Sequence, residues 1–165
     1  MQNDINGVPS RGTQFRFSDW SPFLHAPDDE AAGRTQSEEA KRVLIVEDDF
    51  LIASEMEAAL TEAGFEVVGV VPTGEEALEL AQARALTLAV MDIKLAGDFD
   101  GVDSALELFR THGVRSVFAS AYSDPEIRLR ADPAAPLGWL QKPYTMTALT
   151  AMVRQAVNEL RKKRR

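Results

Sequence analysis

The sequence contains no cysteine among its 165 residues, which excludes disulfides, thiolate metal sites and a cysteine nucleophile. It has no apolar run approaching 18 residues, so a membrane span is not expected. The N-terminus also lacks the basic start and uncharged apolar core of a secretory signal, which favours a cytoplasmic protein. What is present is an ordinary globular composition, since 45% of the residues are hydrophobic, enough for the core of one domain.

Basic charge is scarce in the main part of the chain. Residues 42–160 hold 19 acidic and 9 basic residues, whereas residues 161–165 are all arginine or lysine. The acidic balance argues against nucleic-acid binding by the folded domain. Cations at the end of a helix favour its macrodipole, so the basic tail needs neither a membrane nor a nucleic-acid partner to account for it.

From residue 42 onward, short apolar stretches alternate with helical patterns. The predicted strands are 42–46, 66–71, 87–91, 116–120 and 139–141, and the predicted helices are 50–63, 75–84, 102–111, 124–130 and 147–161. Asp49 and Asp124-Pro125 are typical of helix starts, and Gly64 is typical of a helix end. The alternation predicts an α/β fold, a doubly wound sheet of five parallel strands with right-handed crossovers.

Residues 1–41 show no sustained period and precede the predicted domain. They carry more aromatic residues than a linker needs, namely Phe15, Phe17, Trp20 and Phe23. We interpret this extension as either mobile or docked on the domain or a partner, and expect a chain starting near Lys41 to fold. The predicted organisation is an N-terminal extension (1–41), a domain (42–160) and a basic tail (161–165).

Three predicted strands end abruptly in charged residues. The acidic residues 47–49 follow the first strand, Asp92 follows the third, and Lys142-Pro143 follows the fifth. In a parallel sheet, the carboxyl edge of the strands is where ligand chemistry is placed. Several carboxylates converging there with one lysine need a divalent cation to balance them. The arrangement suits phosphoryl transfer to an aspartate.

These motifs resemble the receiver domain of two-component response regulators. Val46-Glu47-Asp48, Met91-Asp92, Ser120-Ala121 and Lys142-Pro143 occur in the family's order on the expected elements. The resemblance covers residues 42–160, about seven tenths of the chain, and implies the flavodoxin-like strand order 2-1-3-4-5. The stretch Phe118–Tyr122 is similar to the Phe-Ala-Thr-Gly-Tyr receiver subgroup of alphaproteobacteria.

The resemblance implies a role for each matching acidic residue. Asp92 corresponds to the phospho-acceptor, whose carboxylate attacks the phosphohistidine of a sensor histidine kinase or a phosphotransfer protein. Mg²⁺ is the implied cofactor. Asp48 and Asp92 would bind it directly, Glu47 through water, and Lys94 through its backbone carbonyl.

The remaining implied roles concern the response to phosphorylation. Lys142, aimed by a cis bond to Pro143, is implied to pair with Asp92 or with a phosphoryl oxygen. Ser120 corresponds to the switch hydroxyl that donates to the phosphoryl group. The strand-five aromatic is Trp139, which is too large to copy the family's usual rotation in a close-packed interior. Either Tyr122 takes over part of that role, or Trp139 is simply part of the core.

The loop Leu95–Gly101 is one residue longer than the commoner family pattern. A calcium loop would need a distal bidentate glutamate, which is missing. Asp98 and Asp100 are therefore interpreted as solvated loop residues.

The leading hypothesis is a single-domain response regulator that is not an enzyme. It would accept a phosphoryl group on Asp92 and either contact an unknown output protein or act as a phosphate sink, and a homodimer is compatible with this. One alternative is a phosphohydrolase with an aspartyl nucleophile, but such enzymes need Asp-x-Asp, and Lys94 stands at the second position. The other is a phosphorylation-independent interaction module, which normally loses the acidic pair or the lysine.

Overall fold

The computed structural model of the protein describes residues 41–121 and 124–163. The strands are β1 (Arg42–Val46), β2 (Glu66–Val71), β3 (Leu88–Met91), β4 (Arg115–Ser120) and β5 (Gly138–Gln141). The helices are α1 (Phe50–Glu62), α2 (Gly74–Ala83), α3 (Gly101–His112), α4 (Pro125–Ala131) and α5 (Met146–Lys163), with a 3-10 turn at Asp132–Ala134. The predicted elements are all present, and their ends agree to within one or two residues.

The five strands form one parallel sheet in the order β2-β1-β3-β4-β5. The predicted fold class and strand order are confirmed. Helices cover both faces of the sheet, which explains why β1 and β3 are apolar on both sides and buried along their whole length. One core layer lies under α1 and α5, and the other lies under α2, α3 and α4.

Side-chain caps fix where the helices begin. The Asp49 carboxylate accepts from the backbone N–H groups of Leu51 and Ile52 at 2.9 and 3.1 Å. Asp124 accepts from the N–H of Ile127 at 3.0 Å, directly before the proline that opens α4. Both predicted helix starts are confirmed. Each cap satisfies backbone donors that the first turn of a helix leaves without partners.

The interpretation of Asp100 as a solvated loop residue is wrong. Its carboxylate caps α3 by accepting from the backbone N–H groups of Val102 and Asp103, both at 2.9 Å. The same carboxylate forms an ion pair with Arg130 of α4 at 2.6 Å. The cap is a local feature, because Asp100 directly precedes α3. The ion pair could not be predicted, because Arg130 lies in a helix that is distant in the chain, while Asp98 is exposed as expected.

The predicted extension and the predicted basic tail lie at the two ends of the chain. The predicted extension up to residue 40 lies outside the described residues, together with its four aromatic residues. At the other end, Arg161, Lys162 and Lys163 of the predicted basic tail continue α5 as its last turn. No helix within residues 41–121 and 124–163 is long and apolar enough to cross a membrane.

Candidate functional site

The carboxyl edge of the sheet brings the charged strand ends together. The pairing of β1 with β3 places Val46 beside Met91, so the residues that follow them are neighbours. The N–H of Asp92 donates to the carbonyl of Val46 at 2.9 Å, which extends this pairing by one residue. On the other side, the N–H of Lys142 donates to the carbonyl of Ser120 at 3.0 Å. The predicted site residues therefore share one edge because the strands are parallel and in register.

Three carboxylates form a cluster at this edge. Glu47, Asp48 and Asp92 each offer an oxygen, and these oxygens lie within 4.8 Å of one another. Glu47 and Asp92 are only 1% and 7% exposed, whereas Asp48 is exposed to solvent. Like charges held this close in a partly buried position repel one another.

Lys142 is shared between the two buried carboxylates. Its Nζ donates to Glu47 Oε2 at 2.7 Å and to Asp92 Oδ2 at 2.8 Å. Burial alone would lower the pKa of Lys142, but the hydrogen bonds to Asp92 and Glu47 outweigh burial and raise the pKa above its ordinary value. The lysine is therefore held fully charged. The contact with Glu47 was not predicted, and the Lys142–Pro143 peptide bond is cis, as predicted.

The backbone fixes the other oxygens of both carboxylates. Asp92 Oδ1 accepts from the N–H of Ile93 at 2.6 Å, and Glu47 Oε1 accepts from the N–H of Asp49 at 3.3 Å. Burial raises the pKa of Glu47, and the charge of Asp92 raises it further, against the opposing effect of Lys142. Burial together with the charge of Asp92 therefore outweighs the effect of Lys142 on Glu47.

A cleft of about 230 Å³ opens over the cluster. Its lining comprises the four charged residues described above together with Asp49, Ile52, Lys94, Ser120 and Ala121. Ser120, the predicted switch hydroxyl, is 2% exposed. Tyr122, the other predicted switch residue on this side, lies outside the described residues.

Trp139 does not line the cleft. Its ring stacks on Phe118, with centroids 4.5 Å apart and an interplanar angle of 22°. The guanidinium of Arg128 lies over the same ring, 4.9 Å from its centroid. Trp139 is half-buried and held between β4 and α4, in the core layer opposite α1 and α5.

The site fits a divalent cation. The donors are oxygens, the ligand type that Mg²⁺ prefers, and the cleft leaves room for the waters that Mg²⁺ retains. The surplus of carboxylates over the charge of Lys142 supplies the electrostatic reason for binding one. The roles of Glu47, Asp48, Asp92 and the Lys94 carbonyl as ligands remain predictions that rest on this fit.

Gly101 contributes to the site without having been predicted. Its N–H donates to the carbonyl of Ile93 at 2.7 Å. A Cβ at this position would collide with the backbone carbonyl of Asp92. The start of α3 therefore packs directly on the backbone of the predicted acceptor and fixes its position. The sequence offered one indication of this contact: a glycine directly follows Asp100, and Asp100 is the N-cap of α3.

A five-stranded parallel sheet with an acidic pair, an aspartate and a lysine at its carboxyl edge defines a receiver-type signalling domain. Residues 43–154 match the family described as response regulator receiver domain. The chain belongs to this family. Receiver domains are generally signalling modules rather than enzymes, they receive phosphoryl groups from histidine kinases or phosphotransfer proteins, and they bind Mg²⁺ at an acidic pocket.

Two curated relatives illustrate the similarity. The transcriptional regulatory protein PdtaR of Mycobacterium tuberculosis is 35% identical over 73% of this chain and 58% of its own length. The phyllosphere-induced regulator PhyR of Methylorubrum extorquens is 33% identical over 78% of this chain and 48% of its own length. The chain thus spans about half the length of these relatives.

Solved structures agree on the fold. The signal receiver domain of a modulated diguanylate cyclase from Desulfovibrio desulfuricans has a TM-score of 0.68 at 33% identity, covering 74% of this chain and 97% of that one. A CheY-like receiver domain from Methanospirillum hungatei has a TM-score of 0.69 at 26% identity, covering 74% and 98%. In both comparisons, the aligned part of this chain is about as long as its receiver domain.

Proposed function

We propose that the chain is a response regulator whose receiver domain accepts a phosphoryl group on Asp92. The donor is a phosphohistidine of a sensor histidine kinase or a phosphotransfer protein. The observation that carries the proposal is the setting of the Asp92 carboxylate, whose oxygens are oriented by the N–H of Ile93 and by Lys142 beside the acidic pair. In the cytoplasm, the phosphorylated protein either contacts an output protein or acts as a phosphate sink for the kinase.

The reaction proceeds in line at phosphorus. A carboxylate oxygen of Asp92 attacks, the bond from phosphorus to the imidazole nitrogen breaks, and the nitrogen keeps the electron pair, leaving an acyl phosphate. Lys142 moves its hydrogen bond from the carboxylate to a phosphoryl oxygen, which its flexible stem allows. Bound Mg²⁺ would neutralise the charge of the carboxylates and the phosphoryl group.

The surroundings of the cleft favour a donor protein with a partly apolar contact surface. Phe50 and Leu51, the first two residues of α1, are 51% and 71% exposed directly beside the acidic residues. Exposed apolar side chains next to a polar site are typical of a protein-docking surface. A donor protein that presents a phosphohistidine can cover these side chains while its imidazole reaches Asp92.

Ser120 and Tyr122 form the proposed switch. Ser120 lies on the wall of the cleft, so its hydroxyl can donate to a phosphoryl oxygen and draw the 121–124 loop inward. Trp139 turns little, because Phe118 and Arg128 hold its ring from two sides. Tyr122→Ala should weaken phosphorylation-dependent binding of the output partner while Asp92 is still labelled, whereas the usual strand-five switch would instead make Trp139→Ala the damaging change.

The primary test is phosphoryl transfer from a panel of kinases of the source genome to the full chain. We expect labelling that requires Mg²⁺ and is released by hydroxylamine, as an acyl phosphate should be. Asp92→Asn should abolish it without unfolding the protein, because the amide keeps the shape of the side chain. Asp98→Asn, on the exposed part of the following loop, is the matched control and should label normally.

Labelling that persists in Asp92→Asn would show that another residue is the acceptor. Equal labelling rates in excess EDTA would contradict the role of the metal. Steady release of inorganic phosphate with many turnovers would instead favour the phosphohydrolase alternative.

A further inference from the structure

The loop that follows Asp92 is held by contacts to the preceding turn of the fold. We define residues 93–100 as the acceptor loop; it contains Lys94, whose backbone carbonyl is the proposed metal ligand. Ala96 pairs with Thr73 in an isolated parallel β-bridge. Two residues further along, the N–H of Asp98 donates to Glu75 Oε1 at 3.1 Å. The middle of the loop is therefore tied to the start of α2.

Glu75 is the side chain that makes this connection. A Cβ on Gly97 would lie 2.8 Å from Glu75 Oε2, so the carboxylate lies directly over the loop backbone. Gly97 has a φ of +99°, a conformation that favours glycine. The pKa of Glu75 is lowered by its own backbone N–H first and then by the N–H groups of Asp98 and Phe99. The ionised carboxylate is therefore the form that the loop binds.

The position of Glu75 is itself fixed by helix packing. Gly74, the first residue of α2, lies so close to the buried Ser104 of α3 that a Cβ would collide with its hydroxyl. Ser104 in turn donates to the carbonyl of Asp100 at 2.7 Å, at the far end of the acceptor loop. The start of α2 cannot shift without disturbing α3. Glu75 thus holds the middle of the acceptor loop, which has no regular structure of its own, against the start of α2.

We infer that Glu75 is a positioning residue for the metal site, setting the course of the acceptor loop and hence the place of the Lys94 carbonyl. This inference rests on the proposed function, in which that carbonyl binds Mg²⁺. A hydrogen bond that a backbone N–H donates to an ionised carboxylate is stronger than one between neutral groups. Residues that orient metal ligands typically change affinity by about 10- to 100-fold when they are removed.

The test is calorimetric titration of the full chain with MgCl₂, together with thermal unfolding in the absence of metal. We expect Glu75→Ala to weaken Mg²⁺ binding by about tenfold. Glu75→Gln, which keeps a neutral acceptor, should lose about threefold. Glu79→Gln, one turn further along α2 and exposed, removes the same charge without reaching the loop and should bind like the wild type.

A second titration at high KCl separates positioning from charge. Salt screens the long-range attraction between a surface carboxylate and the cation. The loss in Glu75→Ala should persist at high salt if the loop is displaced. It should disappear if Glu75 acts only through its charge.

The inference is overturned if the wild type binds Mg²⁺ and both Glu75 variants match it, or if Glu79→Gln is as weak as Glu75→Gln. If Glu75→Ala does not fold, Glu75→Gln alone decides between the same outcomes. A wild type that does not bind Mg²⁺ would instead overturn the proposed function on which the inference depends.

Discussion

Both edges of the sheet carry buried charged residues, but the two edges differ in how completely these charges are paired. At the amino edge, Arg42 lies against Glu66 at 3.5 Å, and Arg115 lies against Glu159 at 3.2 Å. At the carboxyl edge, one lysine serves two buried carboxylates, and a third carboxylate is adjacent. The amino edge consists of pairs of opposite charge, whereas the carboxyl edge keeps an excess of negative charge.

The pKa values of one glutamate at each edge shift in opposite directions. The pKa of Glu159 is lowered, first by the hydrogen bond from Lys163 and then by Arg115. The pKa of Glu47 is raised, first by burial, although Lys142 opposes the shift. A carboxylate whose ionised form is disfavoured costs stability, so its presence indicates a site kept for binding rather than for folding. The raised pKa of Glu47 therefore sets the carboxyl edge apart, and this is the edge where the strand-end motifs predict the site.

The largest expected change in stability comes from removing the ammonium group of Lys142, which Glu47 and Asp92 share. Lys142→Met should lower the free energy of unfolding by about 2 kcal/mol at pH 7 without divalent metal, because Glu47 and Asp92 lose their common partner. The figure lies below the usual range for a broken buried pair, since the cleft admits water. Denaturant unfolding measures it. Lys94→Met, which removes a cation from the same cleft but from an exposed position, should cost less than about 0.5 kcal/mol.

An equal loss in both variants would mean that the carboxyl edge responds only to net charge. The two hydrogen bonds of Lys142 would then contribute nothing to stability beyond its charge.

A smaller effect is expected at the amino edge. Arg115→Met removes the ion pair to Glu159 and hydrogen bonds to the carbonyls of Ala135 and Pro136, and should cost about 1 kcal/mol. Because this edge lies at the opposite end of the strands, the rate of phosphoryl acceptance should stay within about twofold of the wild type. A loss of labelling comparable to that of a carboxyl-edge variant would show that the amino edge also takes part in phosphoryl acceptance.

The smallest effect is a pH dependence at the amino edge. Since the folded pKa of Glu159 is lowered, its contribution to stability is present above the ordinary value of 4.5 and is lost as the pH falls through the folded value. At pH 7, Glu159→Gln should melt about 1–2 °C below the wild type, because the pair is partly exposed. The two melting temperatures should converge well below pH 4. A difference that stays constant with pH would show that the carboxylate charge is not responsible.

Much of the fold could be predicted because its signals are local. Alternating apolar stretches indicate strands whatever their neighbours are, and Asp49 and Asp124 cap helices that begin within the next residues. The charged ends of β1, β3 and β5 could be placed together because a parallel sheet collects its carboxyl ends at one edge. The family resemblance then supplied the order of the strands.

The contacts that tie the loops together could not be predicted. Glu75 meets the backbone of Asp98 across 23 residues of chain, and Arg130 meets Asp100 across 30. Lys142 reaches Glu47 across 95 residues, in addition to the expected Asp92. Such pairs depend on the distance between elements after packing, which no periodicity encodes. The same limit applies to Trp139, whose place between Phe118 and Arg128 follows from the position of α4.

The most direct test of the central claim is the effect of MgCl₂ on the thermal unfolding of the wild type and of Asp48→Asn, with KCl of matched ionic strength as the control. The claim is that the negative excess at the carboxyl edge holds a divalent cation beside Asp92. The wild type should gain about 2.7 kcal/mol at a hundred times its dissociation constant, and Asp48→Asn should gain little at the same concentration. Equal stabilisation of both proteins, or of neither, would contradict the account.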